Sequence, residues 1–152
     1  MCISNTIQHI KWLGHASFFI EEKGCNIYID PWKIKSNLPK ADIILISHEH
    51  FDHCSTNDVG KLLKQDTLII CNLASSKNFT DKNIKVVHPK EEVNFKNTKI
   101  QTVVAYNINK SFHPKSNEGL GFIVETSIGK IYHCGYTDFI PEMKDIKCDI
   151  AL

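Results

Sequence analysis

Apolar residues gather in short runs that are rich in Ile, Val, Phe and Tyr: "ASFFIEE", "NIYID", "ADIILIS", "TLIIC", "KVVH", "KIQTVVAY", "LGFIVET" and "KIYHCG". β-branched and aromatic residues fit a pleated, half-buried surface, so these runs are predicted to be strands. Turn signals of the hairpin kind, Lys23-Gly24, Lys96-Asn97 and Ile128-Gly129, separate several of them and predict antiparallel neighbours. Helical spacing is clear in one place. Val59, Leu62 and Leu63 share a face between about Thr56 and Gln65, after Ser55 and Asp58, which form a capping pair three residues apart. Shorter helical pieces are expected near Leu73 to Asn78 and Pro141 to Lys144, and "PKSNEGLG" reads as a polar hairpin. The pattern is that of an α+β protein, with one domain expected over residues 1–152 and no repeat, linker or low-complexity segment.

Composition narrows the function classes. At 152 residues and 42% hydrophobic content the chain can bury a core. Eighteen Lys plus Arg against seventeen Asp plus Glu leave a formal charge of +1, too little to gather nucleic acid or anionic lipid. No apolar run approaches the roughly 20 residues of a membrane span, and the start "MCISNTIQHIKW" has no cationic segment followed by an unbroken apolar stretch. A cytoplasmic protein acting on a small molecule is the expectation. Cys2, Cys25, Cys54, Cys71, Cys134 and Cys148 never form a CxxC pair, which argues for reduced, structural thiols.

Chemistry concentrates in "SHEHFDH", Ser47 to His53, directly after an apolar run. In an extended segment residues two apart point the same way, so His48 and His50 can present both rings to one point at a strand end. Asp52 and His53 fall where the chain turns toward the helix and can face a second position beside the first. Neutral imidazole and carboxylate suit zinc, and ligand type alone also admits manganese or iron. Two adjacent cations would activate a water and stabilise charge on an attacked carbonyl or phosphoryl oxygen.

With "WLGHASFFIE", "IYIDPW", "GFIVE" and "YHCGYTD" in the same order around that motif, the chain resembles the metallo-β-lactamase fold superfamily. The likeness is to its small cytosolic metal-dependent hydrolases, similar to the L-ascorbate-6-phosphate lactonase type. The resemblance implies an αββα sandwich with the metals at one edge of the sheets. It implies His48 and His50 as ligands of a first metal, Asp52 and His53 as ligands of a second and as the catalytic pair, and Asp30 as the partner that holds a histidine ring in its working tautomer. His15 would lie near the site.

Three departures accompany the likeness. Where the family has "GDT", with an aspartate bridging two metals, this chain has Gly135-Tyr136-Thr137, and Asp138 stands two residues on. The family's third histidine falls near "AYN", at Asn107, and His113 is the nearest imidazole that could replace it. The chain ends at "CDIAL", in what resembles a strand partway through the family's second sheet. The expectation is a truncated domain with an incomplete second half, whose uncovered edge would favour a homo-oligomer by strand exchange. The expected function is a metal-dependent hydrolase that uses a metal-activated water on a lactone, ester or phosphoester. The alternative is a degenerate member that keeps the fold and partial metal binding with little catalysis. Cys54 and Cys134 flank the motifs and are read as buried small hydrophobes rather than ligands.

Overall fold

The computed structural model describes residues 7–80 and 82–152; Cys2 lies outside them. Two β-sheets pack face to face. The first holds β1 (Ile10–Gly14), β2 (Ser17–Glu22), β3 (Cys25–Ile29), β4 (Ile43–Ile46), β5 (Leu68–Cys71) and β6 (Ile84–Val86), side by side in that order. Strands β1 to β3 are antiparallel neighbours, and β3 to β6 run parallel. The second sheet comprises β7 (Glu92–Phe95), β8 (Thr98–Ala105), β9 (Gly119–Thr126), β10 (Gly129–His133) and β11 (Ile150–Ala151), laid out as β11-β10-β9-β8-β7. All its pairs are antiparallel except β10 with β11. Helices α1 (Thr56–Leu62) and α2 (Leu73–Ser76) follow β4 and β5.

The central strand explains the layering. Every residue of β4 is buried, because successive side chains enter different cores. Ile43 and Leu45 join Ile20, Ile29, Phe122 and Val124 between the two sheets. Ile44 and Ile46 join Tyr28, Ile69 and the α1 residues Val59 and Leu62 on the outer side of the first sheet. β8 instead alternates buried with half-buried residues, from Thr98 and Ile100 on one face to Lys99 and Gln101 on the other, as a sheet covered on one face should. The described residues thus form a helical layer and two sheets of the expected αββα sandwich.

The eight predicted strands are present, β11 falls within "CDIAL" as the resemblance implied, and β1 and β7 are additional. β1 and β7 escape the apolar pattern because they are short and mostly half-exposed or exposed. Helix α1 ends at Leu62 rather than Gln65, since Leu63 turns to ψ 140° and the Leu62 carbonyl is taken by the Ala41 N–H. Ser55 caps its start: its hydroxyl accepts from the Asp58 N–H and donates to Asp58 Oδ2 at 2.7 Å.

Asp42, buried at the start of β4, links the first sheet to the β7–β8 hairpin. Its carboxylate accepts the Asn26 N–H at 2.8 Å, Lys64 Nζ at 2.8 Å and Lys96 Nζ. Burial alone would raise its pKa, but these donors outweigh it and hold the carboxyl at about 2. Because the folded pKa lies below the unfolded one, the stabilisation is present above about pH 4 and lost as pH falls toward 2. Both lysines are partly solvent-exposed, so Asp42→Asn is expected to cost about 1–2 kcal/mol at pH 7. Urea unfolding at pH 7 and near pH 3 should show that deficit shrinking at the lower pH.

Candidate metal centre

The parallel register of β3 and β4 brings their C-terminal ends to one edge, where loops of open parallel sheets assemble sites. β3 delivers Asp30 there and β4 delivers Ser47 to His53. The Asp30 carboxylate is fully buried and takes three donors. Oδ1 accepts the Ser47 N–H at 2.7 Å; Oδ2 accepts the Ser47 hydroxyl at 2.5 Å and His53 Nδ1 at 2.7 Å. Burial would raise its pKa, yet the hydrogen bonds from His53 and Ser47 and nearby imidazoles overcome that and hold the carboxyl below its ordinary value.

An ionised carboxylate can only accept, and this decides two tautomers. His53 must carry its proton on Nδ1, which leaves the Nε2 lone pair bare. Ser47 has a single hydroxyl proton and spends it on Asp30, so its oxygen accepts from His48 Nδ1, 2.9 Å away. His48 Nε2 is therefore bare as well. Burial first, and then His53, drive the His48 pKa down to about 3; burial and the neighbouring His50 and His53 rings lower that of His113. Both rings are neutral near pH 7, the form that offers a lone pair.

The bare Nε2 of His48 faces a second imidazole, which in turn meets a third. His113 Nε2 lies 3.2 Å from His48 Nε2 and 2.9 Å from His50 Nδ1. His48, His50 and His113 form one cluster of potential donor atoms, and His15, Asp52 and His53 form another. In the second, His15 Nε2 is 3.1 Å from Asp52 Oδ2, and His53 Nε2 is 4.0 Å from the same oxygen. Zinc–nitrogen bonds of about 2.0–2.1 Å would set ligand nitrogens about 3.3 Å apart in a tetrahedron, close to the spacings in the first cluster. One N–H proton cannot satisfy two imidazole contacts at once, so the donor set of the first cluster fits a cation.

All five residues singled out as ligands, His48, His50, Asp52, His53 and His113, fall in these two clusters. His113 stands where a third imidazole was sought. Asn107 is not among the cluster's potential ligands; its Nδ2 donates to the Phe112 carbonyl and lies 3.4 Å from His113 Nδ1, and its N–H donates to the His113 carbonyl, which anchors the loop. Asp138 stays outside, bonded to the Ile108 N–H and Lys110 Nζ. Cys54 is buried, receives Asn78 Nδ2, and joins neither cluster; nor does half-buried Cys134. "PKSNEGLG" forms a 3-10 turn over Lys115–Asn117 that leads into β9.

Ser47 went unnoticed in the sequence, although it directly precedes His48 at a strand end. His15 is a full member of the second cluster rather than a neighbour of it. Three residues here adopt left-handed backbone: His15 (φ 50°), Asp30 (φ 44°) and His113 (φ 57°). Such conformations cost about 1–3 kcal/mol each and persist where the surroundings over-determine them. Tyr136 follows Gly135 (φ 69°), where a Cβ would meet the Leu120 carbonyl oxygen at 2.3 Å. The Tyr136 ring centroid lies 4.4 Å from His113 and 6.1 Å from His53, beside both clusters.

A model of the beta-lactamase superfamily domain matches residues 9–149. The chain belongs to the metallo-β-lactamase superfamily. A UPF0173 metal-dependent hydrolase of Caldivirga maquilingensis is 29% identical over 95% of this chain and 68% of its own length. Another, from Pyrobaculum aerophilum, is 31% identical over 94% of this chain and 69% of its own. A crystal structure assigned to a metal-dependent hydrolase of Parabacteroides distasonis superposes with a TM-score of 0.86 at 35% identity, over 93% of this chain and 67% of that one. These relatives place the chain among the metal-dependent hydrolases of the superfamily, and it spans about two thirds of their length.

Long-range 1H–15N spectra at neutral pH are expected to show Nδ1–H tautomers for His48 and His53. Ser47→Ala removes the His48 acceptor and one donor to Asp30 but leaves the His53–Asp30 bond, so His48 should become a tautomer mixture while His53 stays fixed. An unchanged His48 signal would refute the assignment.

Proposed function

We propose that the protein is a hydrolase of small-molecule lactones, esters or phosphoesters, with zinc as its metal and manganese or iron as chemically acceptable substitutes. The reading is carried by the convergence of His48, His50 and His113 at 2.9–3.2 Å, with the His48 tautomer preset by Ser47. His48, His50 and His113 would hold one cation; His53, Asp52 and His15 would hold a second, more weakly. A cation held there polarises the attacked carbonyl or phosphoryl oxygen and lowers the pKa of water. The chain's own residues do the rest. Asp30 keeps His53 aimed outward through Nδ1. Asp52, partly exposed and in reach of His15, orients the attacking water and accepts its proton. The edge position leaves this carboxylate open to a substrate, while β3 and β4 hold its neighbours rigid.

The unpaired cysteines, Cys25, Cys54, Cys71, Cys134 and Cys148 among the described residues, support a reducing compartment such as the cytoplasm. No described helix is long and apolar enough to cross a membrane.

Tyr136 favours a second reading, a member that binds metal at the first cluster with little catalysis. A phenol supplies bulk and a single oxygen, and here it stands beside both clusters, where a carboxylate could serve both.

Zinc titration followed by elemental analysis is expected to show one tight equivalent and a weaker second. His113→Ala should abolish the tight step, a loss beyond the about 10–100-fold that removing an outer partner costs. Tyr136→Asp should tighten the second. Turnover of a panel of lactones, esters and phosphoesters, lost on chelation and regained with zinc, supports the hydrolase; zinc uptake without turnover of any panel member supports the second reading.

A further inference from the structure

Glu49 separates the two histidines of the first cluster in sequence and is absent from both donor clusters. Its Oε2 is enclosed by protein and has no hydrogen-bond partner. The other carboxylates nearby are engaged: Asp30 with Ser47 and His53, Asp52 with His15, Glu118 with His88 at 2.9 Å. An enclosed acceptor without a donor is costly, and more so for a carboxylate. Glu49 also lines two cavities. One is a recess of about 10 Å³ shared with His48, His113 and Tyr136. The other, of about 270 Å³, is lined by Glu49, Glu118, Lys77, Asn72, Ser116 and Asn117, with Leu73 and Ala74 adding apolar surface. A group bound in the larger cavity therefore lies next to the imidazole cluster.

We propose that this larger cavity recognises a protonated amine on the substrate, with Glu49 as the residue that binds it. The inference rests on the hydrolase reading and narrows its substrate class to lactones, esters or phosphoesters carrying an aliphatic ammonium group. The two carboxylates of Glu49 and Glu118 outnumber the single Lys77 ammonium and disfavour an anion, while Leu73 and Ala74 can receive the aliphatic part of a ligand. At about 270 Å³ the cavity has room for a small aliphatic amine. An ammonium supplies several N–H donors, enough for the Glu49 carboxylate, the Asn117 amide oxygen and the Ser116 hydroxyl.

The test titrates the full chain, metal-free and zinc-loaded, with n-butylammonium and with n-butanol as its neutral counterpart, followed through backbone amide shifts. Butylammonium should shift the amides of Asn72, Ser116 and Asn117 saturably, and butanol should not. Glu49→Gln should weaken butylammonium by about tenfold, the size of one charge-assisted hydrogen bond. Equal binding of the two ligands, an unchanged affinity in Glu49→Gln, or shifts confined to the remote cavity around Lys23 and Asn26 would overturn the proposal. The ligand pair on the unaltered protein decides the matter even if Glu49→Gln misfolds. Zinc uptake on the same samples separates the two readings: uptake without ammonium binding overturns the pocket alone, and ammonium binding without uptake overturns the hydrolase alone.

Discussion

The buried carboxylate of Asp30 is the interaction on which the site depends. It receives the Ser47 N–H, the Ser47 hydroxyl and His53 Nδ1, and so sets the tautomer of one ring directly and of a second through a hydroxyl. Burying a charge is expensive unless each lone pair finds a donor, and here the donors are the very groups whose orientation the chemistry needs. A left-handed backbone at Asp30 adds to the cost. The Ser17 hydroxyl donates to the Asp30 carbonyl and accepts the Trp32 N–H, and the Asp30 N–H donates to the Leu45 carbonyl. These bonds hold the residue in that conformation from both sides.

The two sheets then bring distant segments to this edge. Just past the end of β4, the Ser47 carbonyl accepts the Leu120 N–H at the start of β9. The β8–β9 connection that precedes Leu120 carries His113, so the same bond that joins the sheets sets that imidazole opposite His48 and His50. The β1–β2 turn carries His15, and the Trp12 indole N–H donates to its carbonyl at 2.8 Å. Three of the eight described non-glycine residues with left-handed backbone, His15, Asp30 and His113, fall at this edge, beside the buried Ile, Leu and Phe side chains between the sheets.

Tyr136 sets the character of the ground beside the two clusters. Gly135 accepts a backbone conformation that no side chain could share with the Leu120 carbonyl, and the next residue is thereby delivered beside His113 and His53. An aromatic ring at that point contributes bulk and one weakly acidic hydroxyl where a carboxylate would contribute charge. With only Asp52 supplying a carboxylate among the two clusters, the donor set is dominated by imidazole.

Local patterning carried much of this architecture: β-branched runs marked eight strands, Ser55 and Asp58 marked the start of α1, and HxHxDH marked the site. Such features depend on residues close in sequence, so they can be read from it. Edge strands β1 and β7 were not legible, because their stability comes from partners rather than from their own apolar content. Distance explains the rest. Whether His113 or Asn107 joined the cluster, whether Asp138 or His15 did, and whether Ser47 mattered all depended on contacts spanning tens of residues. Sequence alone determined that imidazoles 48, 50 and 53 would share one strand end. Only the tertiary structure decided which way each ring faces, because that choice belongs to hydrogen bonds and packing that exist once the two sheets have closed on one another.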